Sequence, residues 1–212
     1  MAGTDAAPRR ARDLTKERHR RTLIEAAADA VLEHGLANVS VSRILERAGL
    51  SRGMVNLHFQ SKANLLVEVV RHYSDDYVAH WQAAMEAAGP RPEDRLRALV
   101  AADFDPAVLN RRMMAVWMAF RGEAQVSPAY MPFIDSRDAR LKAAFTRICT
   151  ELRAEGPYPA VDPDLAATAF MAVLEGLWND FHLYPDRFDR DAARGVVLHM
   201  ARAFFPRHFA PA

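Results

Sequence analysis

Between positions 40 and 62 the chain gathers polar groups suited to an outside partner: Ser40, Ser42, Ser51, Arg52, Gly53, Asn56, His58 and Lys62, with Met54 among them. Arginine can donate two parallel hydrogen bonds to guanine, and asparagine can pair with adenine, in the major groove of a nucleic-acid duplex. Serine hydroxyls, histidine and lysine suit phosphates, which position a module without reading sequence. Gly53 has no side chain to hold its backbone away from such a surface. Singly, Ser51 and Ser61 could be helix caps and His58 a surface histidine. Together they describe a surface that reads a duplex.

Such side chains need rigid elements behind them. Leu23, Ala27 and Val31 recur every fourth residue, with Ile24, Ala28 and Leu32 alongside. This spacing predicts an amphipathic helix from Thr15, ended by Gly35. Ser40 is placed to cap a short helix through Ala48, with Val41, Ile44, Leu45 and Ala48 inward. Gly49 turns the chain, Ser51 caps a second short helix over Arg52 to Leu57, and Ser61 caps a third, longer one. Two short helices meeting at a glycine-containing turn form a helix-turn-helix.

Charge agrees with this division. The 212 residues carry 28 Lys+Arg and 27 Asp+Glu, so a global positive field is excluded. Residues 1–62 hold 11 basic and 7 acidic residues, a surplus of four; residues 63–212 hold 17 and 20, a deficit of three. A basic head on an acidic body points to polyanion contact by the head. Residues 1–14, with Arg9, Arg10 and Arg12, read as a disordered basic arm. They lack the apolar stretch of a secretory signal. Cys149, the single cysteine, excludes an internal disulfide and a Cys-rich zinc site. No apolar run reaches the roughly 18 residues of a membrane helix. No metal or cofactor is expected, no membrane partner, and a cytoplasmic location fits.

Further along, Leu65 to Trp81, Glu93 to Phe104, a segment started by Asp105-Pro106 and running to Phe120, Met131 to Glu155, Asp164 to Leu183 and Asp191 to Phe205 all read as helices. The expected fold is all-α with about nine helices: a three-helix domain over 15–62, then a helical ligand-binding and dimerisation domain over 63–212. Trp117, Phe120, Tyr130 and Trp178 are large aromatics that either pack the core or line a cavity between helices. Glu123 and Glu175 are acids near them in sequence, and Glu175 stands three residues before Trp178, which predicts one shared face. Aromatic faces with a carboxylate suit a quaternary ammonium ion, at roughly 0.5–2 kcal/mol per face. Apolar residues extend around much of the last two helices, which predicts a two-fold dimer through a four-helix bundle. A helix-turn-helix dimer reads a palindromic site with its half-sites about 34–36 Å apart, one DNA turn, or a multiple of it.

The stretch Ala48-Gly49-Leu50-Ser51-Arg52-Gly53, followed by His58-Phe59, Ser61-Lys62 and Leu65-Leu66, resembles the DNA-binding domain of TetR-family transcriptional regulators over residues 20–66. The resemblance implies that Ser51 to Lys62 spans the recognition helix and its phosphate-contacting end. One position departs from the pattern: many members carry an aromatic residue, usually Tyr, where this chain has Asn56. Leu96-x-x-Leu99-Val100, Asp103-Phe104-Asp105, Met114-x-x-Trp117-Met118-Ala119-Phe120 and Glu175-Gly176-Leu177-Trp178 look like the branch of that family containing choline-responsive repressors of glycine betaine synthesis. The function this implies is repression of a small operon, released or promoted by a small effector, either choline or another cationic or amphipathic compound. A repressor of an efflux or catabolic operon with a lipophilic ligand is the alternative within the family. Outside it stand an all-helical protein-interaction module and an enzyme. The enzyme reading has little support, since the eight histidines are scattered and no His-Glu-x-x-His or Gly-x-Ser-x-Gly occurs.

Overall fold

The computed structural model describes residues 6–210, with side chains from Asp13 onward. Positions 1–5 of the expected arm lie outside the described residues. From Ala6 the backbone is helical, so α1 (Ala6–His34) begins well before Thr15. The alanines and arginines of that stretch are good helix formers, and Pro8 falls in the first turn, where its missing N–H costs nothing.

Gly35 ends α1 with φ 71°, its N–H bonded to the Val31 carbonyl at 2.9 Å. The short helices are α2 (Val41–Ala48) and α3 (Gly53–Phe59). Ser40 caps α2 as the sequence predicts, its hydroxyl accepting from the Arg43 N–H at 3.3 Å. Gly49 takes the left-handed conformation, φ 62°, that turns the chain toward α3. Ser51 behaves differently from its expected capping role: α3 has no side-chain cap, and it is the Ser51 backbone carbonyl that accepts from Met54. Its hydroxyl is left facing outward. Ser61 does cap α4 (Lys62–Ala87), accepting from the Asn64 N–H at 3.1 Å.

The remaining helices are α5 (Pro92–Asp103), α6 (Arg111–Glu123), α7 (Met131–Glu155), α8 (Pro163–Leu183) and α9 (Arg190–Phe204). Nine α-helices and no strand stand among the described residues. The α6 start differs from expectation. Asp105 bonds the Ala107 N–H at 2.7 Å and closes a turn, and Asn110 then accepts from Met113 at 2.9 Å, so the helix starts at Arg111. Asp162 and Asp189 cap α8 and α9 by accepting two backbone N–H groups each.

The chain forms two compact units. One contains the residues through His72 together with Ala115–Tyr130; the other contains Tyr73–Met114 and everything from Met131 on. The division therefore departs from the expected boundary at residue 62: it falls within α4, and part of α6 joins the N-terminal unit. In that unit α1 packs on α2 and α3, burying Leu23, Ala27, Ile44, Val55 and Phe59. In the other, α7 packs on α5 and α8, and α9 on α5 and α8. Phe145 and Phe170 stack there with centroids 5.1 Å apart, and Phe204 meets Phe170 edge-on at 5.9 Å. Phe170 is fully buried. We expect Phe170→Ala to lower unfolding stability by about 3–5 kcal/mol; urea denaturation checks this, and a loss below about 1 kcal/mol would mean that this core collapses around the gap.

Candidate nucleic-acid interface and effector site

The helix-turn-helix exposes the side chains that the sequence marks for base contact. Val55 and Phe59 hold α3 to the core. Arg52, Gly53, Asn56 and Leu57 are exposed on it, as are Ser42 and Ser51, while Ser40 and Met54 are half-buried. A side chain at Gly53 would meet nothing within 4 Å, so its surface is open to a close approach.

Two expected phosphate ligands are placed otherwise. Both ring nitrogens of His58 are buried without hydrogen-bond partners, and the ring meets His19 of α1 edge-on at 6.1 Å. Burial, with the nearby His19, Lys16 and Arg20, lowers the His58 pKa, so the neutral ring is favoured. Lys62 donates from Nζ to the Val39 carbonyl at 2.8 Å, tying the start of α4 to the loop before α2. Its first role is to hold the head together. Arg20 does the same from α1: it pairs with Glu68, bonds the His58 carbonyl at 3.3 Å and covers the Phe59 ring at 4.7 Å.

The C-terminal unit contains a buried polar cluster at Trp178. Arg137, 6% exposed, lays its guanidinium over the Tyr77 ring at 3.9 Å and the Trp178 ring at 4.8 Å. The two rings stand nearly perpendicular, with centroids 5.4 Å apart. Tyr77 donates its hydroxyl to Asp103 Oδ1 at 2.5 Å. Asp103 is 1% exposed and its Oδ2 has no hydrogen-bond partner. α4, α5, α7 and α8 thus each contribute one side chain to a buried cluster in which a guanidinium and a carboxylate share the same two aromatic side chains.

Burial raises the Asp103 pKa from 3.8 to about 6, against the lowering effects of the Tyr77 hydrogen bond, the Arg137 charge and the Trp178 indole N–H. The indole lies near enough to act on the carboxylate yet outside normal hydrogen-bond geometry. Burial and the Asp103 charge raise the Tyr77 pKa well above its ordinary value, so the phenol stays a donor.

Of the aromatic and acidic residues expected to line a cavity, Trp178 lies in this cluster and Glu175 does not. Glu175 is exposed on α8, so the face it was expected to share with Trp178 is not shared. Three positions on a helix are about 60° short of a full turn, enough to cross from core to surface. Asp103 of α5 supplies the carboxylate instead. Trp117, Phe120, Glu123 and Tyr130 belong to the N-terminal unit. There Phe120 and Tyr130 meet edge-on at 4.8 Å, Arg121 covers Trp117 at 5.3 Å, and Ser127 donates to Glu123 at 3.4 Å.

Elsewhere in the C-terminal unit, an open groove of about 710 Å³ is lined by Trp81, Met85, Arg95, Arg140, Arg147 and Glu151, among others. Its basic rim does not suit a cation. Glu93, Glu155 and His208 bring possible metal-ligand atoms within 4.8 Å of one another. A pairing of His208 with Glu155 at 3.6 Å and a Tyr158 hydroxyl on His208 Nδ1 at 2.8 Å account for their positions.

Residues 23–69 match the family described as bacterial regulatory proteins, tetR family, and residues 92–206 match the BetI-type transcriptional repressor, C-terminal domain. The chain belongs to the TetR family. Its C-terminal domain is of the BetI type. The HTH-type transcriptional regulator BetI of Paraburkholderia phymatum is 32% identical over 178 residues, 84% of this chain and 88% of the relative. The regulator of the same name from Yersinia pestis (strain Pestoides F) is 30% identical over 181 residues, with the same coverage. A Pseudomonas aeruginosa PAO1 structure described as a transcriptional regulator superposes with a TM-score of 0.81 at 25% identity, covering 91% of this chain and 93% of that one. A Saccharomonospora viridis regulator, solved in complex with choline, has a TM-score of 0.78 at 21% identity, over 88% of this chain and 96% of that one. The TetR-family chain is thus a DNA-binding transcriptional repressor of BetI type, and the enzyme reading is set aside. No described helix of this repressor is long and apolar enough to cross a membrane.

The sign of the Asp103 effect follows from linkage. Its folded pKa is raised, so the native state holds a proton that the unfolded chain releases, and stability from this group falls as pH rises from about 4 to about 6. For a shift of this size the loss is about 3 kcal/mol. We expect urea denaturation to show the wild-type repressor losing about that much relative to Asp103→Asn over this window. A difference independent of pH would mean that Asp103 ionises in its ordinary range.

Proposed function

We propose that this TetR-family repressor acts in the cytoplasm as a homodimer on a palindromic operator, and that a quaternary ammonium compound of the choline class changes its grip. The observation carrying the effector reading is the Tyr77–Trp178–Asp103 cluster, whose two aromatic faces and buried carboxylate already surround a cation. This composition matches the recognition chemistry of a quaternary ammonium ion. The choline complex of the similarly folded S. viridis protein supports the same class.

For DNA, the exposed Arg52 and Asn56 of the second helix are the base readers, with Ser42 and Ser51 on the phosphates. Lys62 adds positive charge to this edge while holding Val39. The dimer reading rests on α8 and α9. Each buries one face and leaves small or apolar residues on the other: Leu165, Ala172 and Gly176 on α8, and Ala192, Gly195 and Val196 on α9. Exposed apolar residues of this kind on paired helices suit a bundle with a second copy.

Coupling is a shift between two populations of the dimer, one with its reading heads at operator spacing. If an effector favours the other, DNA weakens effector binding by the factor by which effector weakens DNA. α4 belongs to both units, through Lys62–His72 and Tyr73–Ala87, which makes it the natural lever.

A gel shift on DNA from upstream of its own gene tests the core of this reading, with a specific, competitor-resistant complex expected and its absence contradicting it. Arg52→Ala or Asn56→Ala should cost about 1–3 kcal/mol at one base pair and relax discrimination there. Gly176→Arg with Val196→Arg should convert a sedimenting dimer to monomer; an unchanged dimer would place the interface elsewhere. Calorimetry with millimolar choline should show binding, and a heat-silent titration with no change in operator affinity would remove this effector class.

A further inference from the structure

The cluster at Trp178 has the composition of a site for an organic cation, yet a cation of the protein's own is already in it. We propose that Arg137 is a resident occupant of the effector site, which an incoming quaternary ammonium ion must displace before it can bind Tyr77, Trp178 and Asp103. This rests on the effector reading above and adds how that site is gated.

Three observations support exchange rather than joint occupancy. First, the guanidinium already lies over both aromatic faces, at 3.9 Å and 4.8 Å, which is where an ammonium ion would have to lie. Second, the enclosed charges balance. Asp103 is the carboxylate fully buried within the cluster and Arg137 already offsets it, so a second cation between the rings would meet the guanidinium's like charge. Third, a landing point for the displaced side chain adjoins it. Arg137 Nη1 is already 3.1 Å from Asp138 Oδ1, and Asp138 is only partly buried. The guanidinium can therefore leave the rings and keep an anion.

Displacement would have two consequences. Apparent effector affinity would be lowered by the fraction of molecules in which the cage is closed by Arg137, setting a threshold concentration. The event would also move the start of α7, the helix that directly follows the Ala115–Tyr130 segment of the DNA-binding unit.

The test titrates tetramethylammonium and choline, at constant ionic strength, into full-length wild type, Arg137→Met and Arg137→Ala, followed by thermal midpoint and tryptophan fluorescence. We expect both variants to bind tetramethylammonium at least tenfold more tightly than wild type, and Arg137→Met carrying Trp178→Leu to lose that gain. Variants that melt cooperatively but bind with equal or lower affinity would overturn the proposal. Should both variants fail to fold alone, added tetramethylammonium or methylguanidinium should restore cooperative melting; no restoration would also overturn it. The two readings separate. Tight binding by the variants with a wild type indifferent to choline upholds the occupied cage and removes choline as effector. Choline binding by wild type with unchanged affinity in the variants does the reverse.

Discussion

A positive and a negative charge are buried together in the C-terminal unit, and water has been replaced by aromatic faces and a phenol. Removing two ions from water is expensive, and losing one partner of such a pair typically destabilises by about 3–5 kcal/mol because the other is stranded. Arg137 and Asp103 are held by Tyr77 and Trp178, so four helices must keep their register for the charges to stay satisfied. The pair is also incompletely matched, since Asp103 Oδ2 lacks a partner and its carboxyl is pushed up to about 6.

The head of the molecule obeys a different constraint. Its buried face is set by α1 packing on α2 and α3, and its cross-links are Arg20 with Glu68 and Lys62 with Val39. These links use cationic side chains inside the domain, while Arg52, Asn56, Ser42 and Ser51 stay exposed.

Much of this was legible in the sequence because local rules fix it. Ser40, Gly49 and Ser61 act through hydrogen bonds and backbone conformations spanning a few residues, and the structure realises all three. Met131–Glu155 matches its expected span because a proline-rich break follows and the apolar period is strong. The buried cluster at Trp178 was not read, since it joins positions 77, 103, 137 and 178 from four helices. A signal did exist. Asp103 continues the buried α5 row of Leu96, Leu99 and Val100, and Arg137 lies between Ile134 and Leu141 on that of α7. Charged residues on apolar stripes mark a buried pair. His58 and Glu175 were misplaced because spacing does not say on which side of a core boundary a side chain falls.

The most direct measurement of the central claim is nuclear magnetic resonance of arginine side chains in the labelled full-length repressor. With its guanidinium against two rings, the Arg137 Nε–H signal is expected to be strongly shifted by ring currents in the free protein. Saturating choline should return it to the range of exposed arginines as the operator affinity changes. A signal that stays shifted at saturation, while choline is demonstrably bound, would contradict the account.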